Sequence, residues 1–238
     1  MEQSRRFFNS TMRLLDSTLG IQIEESGGAP EHDIFSFRSR SSGASVQIEN
    51  SLAHQPPAVR TLAKSLGIKY EGQLDFTVIH LGGPWTAAGV YTRSLCPSDA
   101  VKFDRKVTAG GQVELICVIS KNANVFATRS AENLESLADA LSAEFGVSRE
   151  RIILSCTGII GVPLPMERIL PKIGGLSKDL AAGVLDTAAK AILTTDRQEK
   201  CASVKMGAVE ICGFVKGAGM IEPAQVHQLV HQHVIANV

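Results

Sequence analysis

The chain has 238 residues, of which 44% are hydrophobic and 20% charged, a composition typical of a globular protein with a sizeable buried core. Its 24 basic residues balance its 24 acidic residues, so charge gives no reason to expect a nucleic-acid or anionic-membrane partner. No apolar run approaches the roughly 20 residues that a membrane-spanning helix needs.

The first 70 residues differ in composition from the rest of the chain. Residues 1–20 predict an amphipathic helix; their three arginines also suit a mitochondrial presequence, although two acidic residues argue against it. Residues 37–59 are rich in Ser, Gly and Pro and predict a loop, followed by a helix over residues 58–68. We therefore expect an N-terminal extension of unknown role over residues 1–70.

Strands and helices alternate in the rest of the chain. Short β-branched segments flanked by turn residues predict strands over Asp75 to Leu81, Val113 to Ser120, Arg151 to Cys156 and Val209 to Val215. Leucines at three- and four-residue spacing predict a helix that Ser130 can cap and Gly146 can end. A second helix is predicted over residues 177–193. This alternation favours α+β layers as much as a doubly wound sheet.

The cysteines and histidines bear on compartment and metal binding. Five scattered cysteines without a C-x-x-C pair predict free thiols in a reducing, cytoplasmic environment. In the tail, His227 and His231 are four residues apart and would share a helical face, with His233 nearby. Because no acidic or cysteine partner follows them, we expect neither a metal nor a cofactor.

The segment "SCTGIIGVPLPMERI", residues 155–169, is the most informative for chemistry. A buried strand is predicted to end at Cys156, and Thr157 and Gly158 then turn the chain. A threonine hydroxyl beside an exposed amide is the arrangement that an oxyanion hole uses. The simpler interpretation is that Thr157 caps the next helix.

Two further segments are ambiguous when taken alone. Thr194 and Thr195 stand at a predicted helix end before Asp196, which is typical of a capping pattern. Lys216 follows a strand in a glycine-rich turn whose spacing is wrong for a phosphate loop. A lone lysine among glycines is more often solvated than functional.

Five segments taken together, and in this order, resemble the α-chain of the ornithine acetyltransferase family, the bifunctional glutamate N-acetyltransferases of cyclic arginine biosynthesis. The segments are "AAGVYTRS", "SKNANVF", "SCTGIIGVPLPMERI", "AAKAILTTD" and "VKGAGMIEP", and the resemblance runs from about Leu74 to Pro223. It implies an α+β fold, a layered α/β/β/α sandwich, of which this chain carries the α-half over residues 71–223.

The resemblance also implies a chemistry. Members cut themselves before a threonine, which then carries an acetyl group from N-acetylornithine to glutamate. By matching motifs, Thr157 and Gly158 correspond to the oxyanion-hole pair. Thr194, favoured over Thr195 by its spacing, corresponds to a substrate contact, and Lys216 to a substrate-contacting lysine.

The match breaks at the nucleophile. His227 stands where the family has its threonine, and residues 213–238 contain no Ser, Thr or Cys. The family's β-half has no counterpart, and Lys121 replaces a glycine of the family's Ser-Gly-Asn-Ala-Asn segment. We therefore do not expect catalysis by this chain alone.

Three interpretations remain open at this point. The chain supplies one half of a split enzyme, or is a non-catalytic amino-acid-binding or regulatory relative, or is a truncated remnant whose tail, residues 224–238, has no role. The expected partners are an N-acetylated amino acid, such as N-acetylornithine or glutamate, and a separate β-like chain or a second copy of this chain.

Overall fold

The computed structural model describes residues 21–24, 34–39, 45–49, 52, 55–92, 94–195, 199–206, 209–216 and 234–237. The chain divides into two compact units. The first comprises Met1–His54, Cys201–Gly213 and Ile235–Val238, and the second comprises Gln55–Lys200 and Phe214–Val234. The helix predicted over residues 1–20 and the three tail histidines lie outside the described residues.

The described strands are β1 (Ile21–Glu24), β2 (Ile34–Ser39), β3 (Ser45–Glu49), β4 (Arg60–Lys64), β5 (Phe76–Thr86), β6 (Gln112–Asn122), β7 (Ile152–Ile159), β8 (Ala181–Ala182), β9 (Lys200–Met206), β10 (Val209–Val215) and β11 (Val234–Asn237). The described helices are α1 (Asp99–Ala109), α2 (Ser130–Phe145), α3 (Met166–Ile169) and α4 (Leu185–Ala191). The strand predicted over residues 209–215 is thus confirmed as β10.

The first unit is built on a six-stranded sheet in the order β1-β2-β3-β9-β10-β11. Strands β1, β2 and β3 form an antiparallel meander, and β3 joins β9 through the pair Glu49 and Ser203. The prediction of a loop over residues 37–59 is therefore wrong where the chain forms the end of β2 and the whole of β3. Serine and glycine weaken the strand signal there, but pairing on both sides satisfies the backbone.

The second unit is built on a five-stranded sheet in the order β7-β6-β5-β4-β8. Its neighbours pair antiparallel except for β6 and β7, which are parallel. The predicted strands over residues 75–81, 113–120 and 151–156 are confirmed as β5, β6 and β7, and each runs further than predicted. In β5 the strand continues through a bulge between His80 and Trp85, where Gly82 has a φ of 81°.

The helix predicted over residues 58–68 is wrong, because Arg60 to Lys64 form β4. Thr61 and Leu62 are buried and lie opposite Ile79 and Val78 of β5. The helical signal of Ala63 and Leu66 is weak, and the pairing of β4 with β5 overrides it.

The helix predicted from the leucine spacing is confirmed as α2, but it begins one residue earlier than predicted. Leu134, Leu137 and Leu141 are 0–1% exposed, and Gly146 ends the helix with a left-handed φ of 68°. Ser130, predicted as the cap, is the first helical residue instead. Its hydroxyl donates to the Asp99 carboxylate, which ties the first turns of α1 and α2 together.

The second predicted helix, over residues 177–193, is correct only for its last part, α4. A 3₁₀ turn over Leu176–Asp179 and the short strand β8 precede it, and Gly183, with a φ of 72°, interrupts the helical path. The amide of Leu185 donates to the Gln55 side chain over 2.9 Å, so a distant glutamine caps α4. Helix α1 was not predicted, although Ser98 caps it by accepting from the Val101 amide.

The core of the second unit lies where the sheet meets α2. Phe76 of β5, Leu115 and Ile119 of β6 and Leu154 of β7 pack with the leucines of α2 in one cluster. The predicted α+β content is confirmed. No helix in the described part of the chain is long and apolar enough to cross a bilayer.

Candidate functional site

Thr157 and Gly158 lie inside β7, not after it. The strand does not end at Cys156 as predicted; it continues to Ile159 because β6 remains beside it as far as Asn122. Thr157 lies opposite Ser120, and both Thr157 and Gly158 are half-buried. The interpretation of Thr157 as a helix cap is therefore wrong, and its position is fixed by strand pairing.

A side chain at Gly158 would collide with the backbone of β6. Its φ is 141°, a conformation that side-chain-bearing residues rarely adopt. A Cβ atom at this position would lie 2.6 Å from the Lys121 Cα and 2.5 Å from the Asn122 nitrogen, with the Lys121 carbonyl carbon closer still. The backbone geometry therefore requires glycine here.

β7 is the last strand in the order of the five-stranded sheet, so no described strand pairs with its outer side. The Leu154 amide points to this side and donates to the Asp104 carboxylate over 2.8 Å. Since amides alternate along a strand, the Gly158 amide, four residues on, points to the same outer side. An amide that faces away from the ladder is available to a ligand oxygen.

The backbone is unusual from the end of β6 to the residue before α2, over residues 121–129. The four non-glycine residues with left-handed φ among the described residues all lie within this range: Lys121 (77°), Asn124 (49°), Phe126 (51°) and Arg129 (56°). Each such residue costs on the order of 1 kcal/mol, less for asparagine. Strain of this kind persists only where the surroundings fix the backbone, and it is found most often at functional sites.

Asn122 and Asn124 supply that fixation. The Asn122 side chain accepts from the Asn124 amide over 2.7 Å and donates to the Val162 carbonyl over 3.0 Å. The Asn124 side chain donates to the Ser130 carbonyl over 3.0 Å. The loop after β6 is thereby bound both to the start of α2 and to the loop after β7.

Two side chains at the end of β6 reach the segment that carries Thr194. The Ser120 hydroxyl donates to the Ala191 carbonyl over 2.6 Å, and the Lys121 ammonium donates to the Leu193 carbonyl. Thr194 follows directly and is half-buried, whereas Thr195 is exposed. The end of β6 therefore contacts both the Thr157–Gly158 segment and the segment that precedes Thr194, and we call this arrangement the β6 corner.

Lys216 follows β10 directly, is half-buried and belongs to the same compact unit as the β6 corner. Its place beside the two threonines stays a prediction. Sequence reasoning missed Ser120 and Asn122 as parts of the site. The signal was present in "SKNAN", where polar residues interrupt an otherwise apolar strand at its end.

Burial raises the pKa values of two acidic groups beside β7, Cys156 and Asp104. Loss of water raises the pKa of the Cys156 thiol, and the Asp104 carboxyl raises it further. Burial also raises the pKa of Asp104 well above its usual range, against the opposing effect of the Leu154 amide. A protonated thiol is a poor nucleophile, so Cys156 does not substitute for a threonine hydroxyl. The corner instead offers hydroxyls, an amide and an ammonium group, which suit the binding of an acyl oxygen.

The rim of the corner is apolar. Phe126, on the loop after β6, is 75% exposed, and Ile160 and Val162, on the loop after β7, are 51% and 47% exposed. The Gly161 amide donates to the Val125 carbonyl over 2.8 Å and holds the two loops side by side. Within the described residues no group of three or more metal-ligating side chains is found.

Comparison with known proteins gives several matches. The family model described as the ArgJ family matches residues 60–231. The arginine biosynthesis bifunctional protein ArgJ of Brucella suis is 38% identical over 170 residues, covering 69% of this chain and 41% of the relative. Glutamate N-acetyltransferase Oat2 of Streptomyces clavuligerus is 34% identical over 159 residues, covering 66% and 40%. This chain spans about two-fifths of the length of these relatives.

Two solved structures share the fold. One is ornithine acetyltransferase complexed with ornithine from Mycobacterium tuberculosis, with a TM-score of 0.67, 28% identity, and coverage of 71% of this chain and 93% of that one. The other is ArgJ from Bacillus halodurans, with a TM-score of 0.62, 26% identity, and coverage of 69% and 89%. The α+β fold class expected from the resemblance is confirmed.

Proposed function

The chain belongs to the ArgJ family, and from that premise we propose that it binds an N-acetylated amino acid at the β6 corner and stabilises the transition state of acetyl transfer in arginine biosynthesis. The reaction carries an acetyl group from N-acetylornithine to glutamate. The proposal is supported by the contacts of the end of β6 with the Thr157–Gly158 segment and with the segment that precedes Thr194.

Each residue has a role in this proposal. The Gly158 amide and the Thr157 hydroxyl donate to the oxygen that becomes negative when the acetyl carbonyl is attacked. Thr194 bonds the amino-acid part of the ligand, and the Lys216 ammonium pairs with its carboxylate. These roles follow the family motifs, and the outer side of β7 and the half-burial of Thr194 support them.

The attacking group is proposed to come from outside residues 1–238. His227 stands at the position of the family's threonine, and residues 213–238 contain no Ser, Thr or Cys. We propose that a β-like polypeptide supplies a threonine whose oxygen bonds to the acetyl carbon as the carbon–nitrogen bond of N-acetylornithine breaks. The ornithine nitrogen leaves with the threonine's proton, and the amine of glutamate then accepts the acetyl group.

The exposed apolar rim supports docking of this second polypeptide. Phe126, Ile160 and Val162 stand beside the corner, and burial of such a patch favours association. The five cysteines are free thiols, which fits the proposed location of the protein in the reducing cytoplasm.

A second candidate function is a non-catalytic amino-acid-binding or regulatory module. The observation in its favour is the replacement of the nucleophile by His227, with the β6 corner kept. It shares the ligand of the first candidate but needs no second polypeptide. Turnover therefore distinguishes the two functions, while binding tests what they have in common.

Calorimetry with N-acetylornithine and N-acetylglutamate tests binding. Heat of binding is expected with the wild type, and a loss of at least about tenfold in affinity with Thr157→Val and Lys216→Ala. An exposed lysine on α4 provides the control, since Lys190→Met is expected to bind as the wild type does. If neither ligand binds, or if the first two variants bind normally, the proposed site is wrong.

A turnover assay follows on the same protein. Acetyl transfer to glutamate is expected only after addition of a polypeptide whose first residue is the family's threonine, and Thr157→Val is expected to reduce it about a hundredfold. Binding without turnover in the presence of that polypeptide would favour the regulatory module.

A further inference from the structure

Lys121 is a lysine in a backbone conformation that suits glycine. Its φ is 77°, and its backbone is paired with Gly158, where an added Cβ would lie 2.6 Å from the Lys121 Cα. Glycine would adopt this conformation without strain, and lysine does so only against a steric penalty.

The ammonium group of Lys121 stands between the two parts of the candidate site. Its backbone is paired with the Thr157–Gly158 segment, and its Nζ donates to the carbonyl of Leu193, the residue before Thr194. A lysine ammonium has three N–H donors, of which the Leu193 carbonyl takes one. The side chain is held in place by this bond, and its remaining donors are available to a ligand in the corner.

From this position we infer that Lys121 determines specificity and favours an N-acylated amino acid that carries a second carboxylate over one that carries a cationic side chain. This inference rests on the proposed function, since it assumes that the ligand binds at the β6 corner. N-acetylglutamate represents the first class and N-acetylornithine the second. A fixed positive charge in a half-buried corner attracts the additional carboxylate and repels the additional ammonium.

A purely structural role for Lys121 makes a different prediction. If the lysine only ties β6 to the end of α4, its removal lowers the melting temperature and weakens both ligands equally. If it determines specificity, its removal changes the ratio of the two affinities. The ratio is therefore the quantity to measure, and the melting temperature serves as the second measurement.

The experiment uses calorimetry on the full chain with both ligands, at low and high salt. The wild type is expected to bind N-acetylglutamate about tenfold more tightly than N-acetylornithine at low salt, and less selectively at high salt because salt screens charge. Lys121→Met, of similar length but uncharged, is expected to reduce the preference to about twofold or less. Lys121→Arg is expected to retain it, because the charge is kept. Lys190→Met again serves as the control, with the preference unchanged.

Three results would overturn the inference. Equal affinity of the wild type for the two ligands would remove the specificity while leaving the proposed function intact. A preference that survives in Lys121→Met, with a lowered melting temperature, would show that the lysine is only a structural tie. Failure of the wild type to bind either ligand would remove the inference together with the proposed function.

Discussion

The two ends of the β6–β7 strand pair are built on different principles. At one end, Leu115 to Ile119 of β6 and Ile152 to Leu154 of β7 are almost fully buried, and alternate residues of both segments pack with the leucines of α2. At the other end, the Ser120 hydroxyl donates to the Ala191 carbonyl, the Asn122 side chain donates to the Val162 carbonyl, and the paired Lys121 and Gly158 both have positive φ. One pair of strands therefore provides both a stable base and, at its tip, a site of fixed geometry whose stability depends on polar contacts.

The largest expected effect is at the buried end. Leu137→Ala removes a side chain that is 0% exposed, and we expect the free energy of unfolding to fall by about 4 kcal/mol, measured by urea denaturation. At the tip, Ile160→Ala is expected to change it by about 0.5 kcal/mol or less, because this side chain is 51% exposed. Equal losses in the two variants would contradict the contrast between the two ends.

The next largest expected effect is the loss of stability when the glycine at the tip, Gly158, is replaced. Gly158→Ala places a Cβ against the backbone of Lys121 and Asn122, and we expect a loss of about 3 kcal/mol from overpacking and strain, together with loss of ligand binding. Gly161→Ala is the matched control. Its φ is 80° but nothing lies within 4 Å of the added Cβ, so only about 1 kcal/mol should be lost. Similar losses would show that strand approach does not restrict residue 158.

A smaller effect is expected when the polar support of the tip is removed. Asn122→Ala leaves the Asn124 amide and the Val162 carbonyl without their partner, at a cost of about 2 kcal/mol. Ligand affinity should fall as well, because the loop after β6 loses its anchor. Hydrogen exchange at the Asn124 amide is the direct measurement, and unchanged protection there would contradict the assigned role of Asn122.

The smallest effect concerns the buried carboxyl group at the edge of β7. Burial raises the pKa of Asp104 well above its usual 3.8, so the folded chain holds this proton more tightly than the unfolded chain. The resulting stability is fully present below pH 3.8 and is lost as the pH rises through the folded pKa. Asp104→Asn keeps an acceptor for the Leu154 amide and should remove this decline.

Urea denaturation at several pH values measures the effect. The difference in unfolding free energy between Asp104→Asn and the wild type should grow in favour of the variant as the pH rises above 3.8. Asp139→Asn, a change of an exposed carboxylate on α2, provides the control. A pH-independent difference would show that Asp104 does not retain its proton.

The contrast between the two ends also explains which parts of the structure could be predicted from the sequence. The buried parts of β5, β6, β7 and α2 were found because apolar side chains recur with the period of the element that buries them. At the tip, residues 120–122 and 157–159, apolar side chains do not recur at a regular spacing. Thr157 and Gly158 were predicted to form a turn because this residue pair is common in turns, whereas parallel pairing with β6 keeps them extended. The error over residues 58–68 has the same origin, since partner strands decided that structure.

The site residues were identified from motifs, and their proximity was not predictable from spacing. Ser120 and Thr194 are 74 positions apart, yet the Ser120 hydroxyl bonds the carbonyl of Ala191, three residues before Thr194. Local propensity does not encode a contact of this range. The left-handed Lys121 was noted only as a departure from the family's glycine, and its conformation became visible only in the structure.

The parallel pairing of β6 and β7 has a consequence for the order of folding. Two parallel neighbours cannot be joined by a tight turn, so α2 must cross over before β7 can align with β6. Closing this crossover requires contacts between residues far apart in sequence, which form slowly. The tips of β6 and β7, where Lys121 and Gly158 face each other, are thus aligned only once this crossover has closed.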